Sequence, residues 1–416
     1  MHKVSVIGLG KLGLPMAVAL ADRGFEVVGI DIDAQKVEQI NKAYMMQYEP
    51  GLQKLLIKYA GKDFKCYTDY DVAIKNTPIS FIIVGTPSNE DGSFSNNALL
   101  SAVTSLAKSL KKANKKYHLI IIGSTVMPGT VIDWVIPKIE SVSGKRLHDD
   151  FGVCYIPETV ALGSVIKDFQ NPDVVMIGES DYKAGDIAHC VYQRLVKDRT
   201  QFKFMSIPSA EIAKVCLNNF LTMKISFSNF MGNICDHIEG ADVDEVMDAV
   251  ACDSRISPKF FRAGMSYGGT CFPRDTGALI KLANDMGINA RLIRAVEEIN
   301  ETQTGLLIAK IRKVLDGGTL GILGMSFKPN TPVSTESPSL KVLEAFPDSY
   351  TCDKSITLGE TDLWTCLMEC DVCVLMHRDE AFIKAIEDFR PKKPITVIDP
   401  WRVIDITKVA NGVTVI

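Results

Sequence analysis

Tyr267-Gly268-Gly269-Thr270-Cys271-Phe272-Pro273-Arg274-Asp275 puts one cysteine between two glycines and a charged pair. Those residue types suit a reacting thiol. Gly268 and Gly269 leave the backbone open to a substrate, Arg274 offers a cation that favours thiolate, and Asp275, four residues on from the cysteine, can move protons. The competing reading is that a free cysteine usually acts as a small buried hydrophobe. What else the chain carries has to decide between them.

The N-terminus carries a second constellation. Lys3 to Ile7 reads as a buried strand that runs into Gly8-Leu9-Gly10-Lys11-Leu12-Gly13, followed by a helical stretch from Pro15 to Arg23 and an apolar strand from Glu26 to Ile30 that ends at Asp31. Strand, glycine turn, helix, strand and an acid 18 residues after the third glycine make up a dinucleotide-binding unit. Gly8 permits the tight turn, Gly10 lets a pyrophosphate approach the helix N-terminus, and Gly13 lets helix and strand pack closely. Asp31 accepts hydrogen bonds from ribose hydroxyls and repels a 2′-phosphate, so the cofactor expected is NAD rather than NADP.

These motifs sit in a chain of 416 residues, long enough for two or three domains. A net charge of −4 provides no basic field for nucleic acid or an anionic membrane, and Lys111-Lys112 and Lys115-Lys116 read as a solvated helix end. No leader-like segment precedes the first strand and no apolar run approaches the length of a membrane span, so a soluble cytoplasmic protein is expected. Its eleven cysteines should then be reduced thiols. Cys366, Cys370 and Cys373 include one CxxC pair, but nothing nearby completes four ligands, and Cys373 falls in the apolar run Val372 to Met376. The expected metal content is none. The histidines at 2, 118, 148, 189, 237 and 377 are dispersed, and none adjoins Cys271.

Strand candidates Ile79 to Val84, His118 to Gly123, Gly152 to Ile156 and Val174 to Ile177 alternate with helical stretches, which predicts a doubly wound parallel sheet with ligands at the carboxyl ends of its strands. Three such ends carry Thr86, Ser124-Thr125 and Glu158. From about Ser206 to Gly240 the apolar spacing becomes helical, with Lys214 and Asn218 one turn apart on one face. Thr319 to Gly324 then opens a second α/β region. The fold class read from this order is α/β, with two Rossmann-like doubly wound domains joined by a long central helix and a helical region. The domain limits are 1–203, 204–305 and 306–416.

Taken in order along the chain, the motifs resemble the nucleotide-sugar dehydrogenases of the UDP-glucose/GDP-mannose type. They are the glycine turn, Ser124 to Thr130, Pro157-Glu158 with Gly163 and Asn171-Pro172-Asp173, Glu211 with Lys214 and Asn218, Gly264 to Asp275, and Phe327 to Thr331 with Glu336-Ser337-Pro338. The resemblance implies a four-electron oxidation of a sugar C6 hydroxymethyl to a carboxylate with two NAD, through a thiohemiacetal and a thioester on Cys271. It implies Lys214 as the cation beside an oxyanion, Asn218 as a hydrogen-bond donor, and Glu158, Asp275 and Thr125 as the groups for proton transfer and water placement. Leu12, Lys36, Thr86, Thr125 and Arg274 join Gly8, Gly10, Gly13 and Asp31 at the cofactor. Lys328 and Arg402, with Phe260, Arg262, Tyr267 and Gly268, join Glu158, Lys214 and Asn218 at the nucleotide sugar. Arg255 matches a residue given across a dimer, so 204–305 would hold the subunit contact and 306–416 the nucleotide.

The chain also departs from that pattern. Thr159-Val160-Ala161-Leu162 stands where an Arg–Glu pair is usual, Pro332-Val333-Ser334-Thr335 where an acidic pair and an arginine are usual, and Phe230 where a glutamate is usual. The cysteine loop follows the glucose/mannose branch and lacks the histidine of the N-acetylhexosamine branch. The favoured substrate is UDP-glucose, with GDP-mannose and UDP-N-acetylhexosamines as alternatives. A non-catalytic nucleotide-sugar or NAD sensor is the reading from a different class.

Overall fold

The structure, a computed structural model, describes residues 3–44, 48–113, 115–197, 199–356 and 361–416; His2 lies outside them. Two compact units divide it, Met1–Cys216 and Leu217–Ile416.

In the first unit, eight strands form one sheet: β1 (Lys3–Ile7), β2 (Glu26–Ile30), β3 (Phe64–Tyr67), β4 (Ile79–Ile82), β5 (His118–Ile122), β6 (Phe151–Tyr155), β7 (Val174–Glu179) and β8 (Gln201–Ser206). Their order is β3-β2-β1-β4-β5-β6-β7-β8. The central strands β4, β5 and β6 are buried at every residue, which explains why their sequences are apolar apart from Ser80 and His118. One face packs Val4, Val6, Phe81 and Ile121 under the Gly13–Asp22 helix, and the other packs Ile7, Ile82, Ile120 and Val153. Strands β3 and β8 have no counterpart among the sequence-derived strands. Both are edge strands, and Phe-Lys-Cys-Tyr and Gln-Phe-Lys-Phe-Met-Ser mix polar with apolar residues because one side of each meets water.

The sheet departs from the fully parallel expectation at one place, where β7 runs antiparallel to β6. The 156–173 connection contains only the short helix Val165–Gln170. It stays at the carboxyl end of β6 instead of crossing back, so β7 runs in from beyond that end and pairs with β6 only at Cys154 with Glu179 and Tyr155 with Gly178.

The helix Ile207–Cys235 begins in the first unit and ends in the second. The second unit continues with helices Val243–Ala251, Phe272–Asp285 and Arg291–Leu315. A parallel sheet follows, of β9 (Leu320–Leu323), β10 (Tyr350–Cys352), β11 (Val372–Leu375), β12 (Ile395–Ile398) and β13 (Val413–Val415), in the order β10-β9-β11-β12-β13. Cys373 lies in β11, and Cys352, Cys366 and Cys370 are buried in the same apolar cluster. Among the described residues no group of three or more His, Cys, Asp or Glu is arranged to hold a metal, and no helix is long and apolar enough to cross a membrane.

A buried polar chain ties β1, β4 and β5 together inside the first sheet. Ser5 Oγ meets Ser80 Oγ at 2.7 Å, and Ser80 Oγ meets His118 Nε2 at 2.8 Å. Burial, with Lys115 nearby, pushes the His118 imidazole down to about 3. The unfolded chain takes up this proton near pH ~6.5, so the contribution of a neutral His118 is complete above that pH and drains away as pH falls towards 3. Denaturant midpoints between pH ~7 and ~4.5 should therefore fall more steeply for the wild type than for His118→Gln, which keeps a hydrogen-bonding end but does not titrate. Equal slopes would overturn this account.

Candidate active site

The carboxyl ends of β1, β4, β5 and β6 lie side by side in the first unit, and each delivers a sequence-derived site residue. After β1, Gly8 sits at φ 91°, and a side chain there would collide with the Ile83 carbonyl; one at Gly13 would collide with the Gly8 carbonyl. A side chain at Gly10 would meet no protein atom within 4 Å, so its glycine answers to a ligand rather than to packing. The helix that follows has no acidic residue in its first turn and no side-chain cap from Leu12, which leaves its N-terminus receptive to an anion. Asp31, buried after β2, accepts from Leu9 N at 2.9 Å, Asp33 N at 3.1 Å and Lys36 Nζ at 3.1 Å. The carboxylate thus fixes the glycine turn and keeps acceptor capacity for a hydroxyl. These features fit NAD.

Beyond the turn, Thr86 Oγ1 donates to Thr125 O at 2.6 Å, joining the ends of β4 and β5. Buried Glu211 accepts from Gly129 N at 2.6 Å and Val131 N at 2.9 Å and so holds the loop after Thr125. Glu158 follows β6. Its Oε1 accepts from Tyr192 Oη at 3.0 Å, and its main-chain carbonyl accepts from Lys214 Nζ at 2.8 Å. Burial raises the Glu158 carboxyl to about 8, against the opposing pull of the Tyr192 hydrogen bond and the Lys214 charge. The divergent 159–163 loop is tethered by Glu49, which was not recognisable in the sequence: its carboxylate accepts from Gly163 N at 2.9 Å and Val165 N at 2.8 Å.

In the second unit Cys271 is exposed and stands immediately before the Phe272–Asp285 helix, with Thr270 Oγ1 3.6 Å from its sulfur. Asp275, fully buried one turn on, accepts from Asn218 Nδ2 at 2.5 Å and from Arg274 Nε and Nη2 at 2.9 and 2.7 Å, while Asn219 Nδ2 bonds its carbonyl at 3.0 Å. Arg274, expected to favour the thiolate, pairs with the Asp275 carboxylate.

The loop leading to Cys271 is held by carboxamides. Asn229 accepts from Gly264 N at 2.8 Å, Gln303 donates to Gly264 O at 2.8 Å, and Asn300 accepts from Tyr267 N at 2.7 Å and donates to its carbonyl at 3.1 Å. Asn300 and Gln303 escaped the sequence reading, although their spacing of three on a helix puts them on one face. Gly268 abuts the Glu336 carbonyl and Gly269, at φ 85°, abuts the Phe327 ring, so neither position has room for a side chain. Gly269 N also donates to Thr335 O at 3.0 Å. The divergent Pro332 to Thr335 segment thus braces the cysteine loop through its main chain.

Phe260, at φ 60°, and Tyr267 both meet the Phe272 ring edge-on, at 6.3 and 5.9 Å. Arg262 donates to Asp244 at 3.1 Å, Arg402 donates to the same carboxylate at 2.9 and 3.2 Å, and Lys328 Nζ lies 5.7 Å from the Phe327 ring centre. Arg255 is exposed and paired with its neighbour Asp253 at 2.9 and 2.6 Å.

A doubly wound unit with this glycine turn and a second unit with a presented thiol define an NAD-dependent oxidoreductase. The chain matches the NAD-binding domain of the UDP-glucose/GDP-mannose dehydrogenase family over residues 2–196 and the central domain of that family over 208–302. It belongs to that family and is a nucleotide-sugar dehydrogenase with NAD as cofactor. UDP-glucose 6-dehydrogenase AglM of Haloferax volcanii is 35% identical to it over 83% of this chain and 81% of that protein. The GDP-mannose 6-dehydrogenase of Pseudomonas syringae pv. tomato is also 35% identical, over 82% and 77%. A solved UDP-glucose dehydrogenase from Pyrobaculum islandicum superposes with a TM-score of 0.88 at 28% identity, covering 100% of this chain and 97% of that one.

Because the fold favours protonated Glu158, its stabilising contribution is present below the ordinary carboxylate range and is lost as pH rises towards 8. Glu158→Gln should raise the ligand-free melting temperature by a few degrees at pH ~8 and by little at pH ~5. The same gain at both pH values would refute the buried-acid assignment.

Proposed function

We propose that this protein oxidises the C6 hydroxymethyl of a nucleotide sugar to the carboxylate, with UDP-glucose as preferred substrate, through a covalent intermediate on Cys271. The observation that carries the proposal is Cys271 itself, exposed at the head of a helix on a loop whose glycines abut the Glu336 carbonyl and the Phe327 ring. NAD, when bound, takes the hydride in each of the two oxidations. Between them the Cys271 sulfur adds to the aldehyde carbon to give a thiohemiacetal, and after the second oxidation water cleaves the thioester and frees the thiol. Alcohol plus water becomes carboxylate with loss of two hydrides and three protons. Proton acceptors are therefore required, and a carboxyl raised to about 8, as at Glu158, exchanges protons readily near neutral pH. In this reading Lys214 and Asn218 stabilise the oxyanion, Thr125 positions the water, and buried Asp275 holds its proton-transfer position through Asn218 and Arg274.

Arg262, Arg402 and Lys328 supply the cations for the nucleotide diphosphate, Phe260, Tyr267 and Gly268 shape its surroundings, and 306–416 is the nucleotide-binding part. A homodimer is supported by the stripe of exposed Phe220, Phe227, Phe230 and Ile234 on the central helix, with exposed Ile238 just beyond its end; 204–305 would be the contact region and Arg255 would enter the neighbouring subunit's site. UDP-glucose is favoured by the cysteine loop and by the Haloferax and Pyrobaculum relatives, while GDP-mannose is the second reading because the Pseudomonas enzyme is equally similar.

NADH production across a panel of UDP- and GDP-sugars should be highest with UDP-glucose. Cys271→Ser should bind NAD yet fail to form the acid, and undiminished turnover would sink the covalent route. NAD should outperform NADP at least tenfold, about 1.4 kcal/mol, because Asp31 would face a 2′-phosphate. Equal use of both cofactors would remove Asp31 from the ribose.

A further inference from the structure

In the second sheet the strand order reverses between β9 and β11, and ligands of open α/β sheets lie outside the carboxyl ends of the strands at such a reversal. The chain leaves β9 towards Lys328, β11 towards Arg378 and β12 towards Trp401 and Arg402. Arg378 follows the strand at the reversal itself. Its guanidinium lies 5.2 Å from the Trp401 ring centre, makes no hydrogen bond or ion pair among the described residues, and feels the Asp244 carboxylate only at longer range. The Trp401 ring is pinned in turn against the Gly264 backbone, where a side chain would collide with it. The cation is therefore held in place instead of sweeping through solvent.

Its charged surroundings are one-sided. Arg262 and Arg402 share the single carboxylate of Asp244, and Arg262 stands close enough to Arg378 to add to the effect of burial in lowering its pKa. Three guanidiniums against one carboxylate leave an excess of two positive charges. Such a cluster repels itself unless an anion joins it, and the diphosphate of a nucleotide sugar carries two negative charges.

We infer that Arg378 is a further substrate-recognition residue, the third guanidinium of a cluster with Arg262 and Arg402 that binds the diphosphate of the nucleotide sugar. The inference rests on the nucleotide-sugar reading of this site and adds a residue that the sequence motifs did not single out.

Calorimetric titration of the full-length protein with UDP and with uridine tests it, using wild type, Arg378→Gln and Arg378→Lys. Arg378→Gln should weaken UDP at least tenfold, about 1.4 kcal/mol, leave uridine unchanged and raise the KM for the nucleotide sugar but not for NAD; Arg378→Lys should recover part of the loss. Because the side chain is only partly buried and makes no hydrogen bond, both variants should fold, and their melting temperatures check this. Unchanged UDP affinity in Arg378→Gln overturns the inference, as does an equal loss for uridine, which would move the contact to the nucleoside. Failure of the wild type to bind either UDP or GDP would overturn the nucleotide-sugar reading itself.

Discussion

Carboxylates that accept main-chain N–H groups hold the loops that carry the candidate site residues within each unit. Asp31 takes the Leu9 amide and fixes the glycine turn, Glu211 takes those of Gly129 and Val131, and Glu49 takes those of Gly163 and Val165. In the second unit Asp353 takes the amides of Met325 and Ser326 after β9, and Asp399 takes those of Trp401, Val403 and Ile404 after β12. Loops have no ladder of their own, and a buried amide without a partner is costly. A carboxylate satisfies two or three amides at once, which lets an irregular loop keep one shape.

Asp275 extends this principle from backbone to side chains. Its buried charge is balanced by Arg274 and bonded by Asn218, so removing any one partner would strand a charge or a polar group away from water. Cys271 lies one turn away, and Asp275 N donates to its carbonyl at 2.8 Å. The exposed thiol therefore stands at the start of a helix turn that is fixed by buried polar contacts. In the proposed mechanism that exposure would let the thiol meet substrate, while rigidity would keep it from adding disorder to the reacting geometry.

Two of the three departures from the family pattern fall on loops rather than on their anchors, and the third, Phe230, lies on the central helix. Thr159 to Leu162 has lost a charged pair, yet Glu49 and Asp168 still hold its main chain. Pro332 to Thr335 has lost an arginine, yet Thr335 O receives the Gly269 amide. Main-chain hydrogen bonds do not depend on side-chain identity, so these segments can change the surface offered to ligands while the cysteine loop keeps its support.

By itself the sequence determined the elements whose local rules are strong. The glycine turn, the central strands β1, β2, β4, β5 and β6, the long helix carrying Lys214 and Asn218, and the exposed Cys271 all follow from glycine conformation, apolar period and motif spacing. The edge strands β3 and β8 were hidden because half-wet strands lack that apolar signal. Tertiary structure alone decided the reversal of β7, the roles of Glu49, Asn300 and Gln303 as anchors, the pairing of Arg274 with Asp275, the sharing of Asp244 by Arg262 and Arg402, and the setting of Arg378 over Trp401. Each of these depends on which polar groups, often distant in sequence, the strand ends and helix faces bring within hydrogen-bonding or coulombic reach. Local conformational preference carries no information about such encounters.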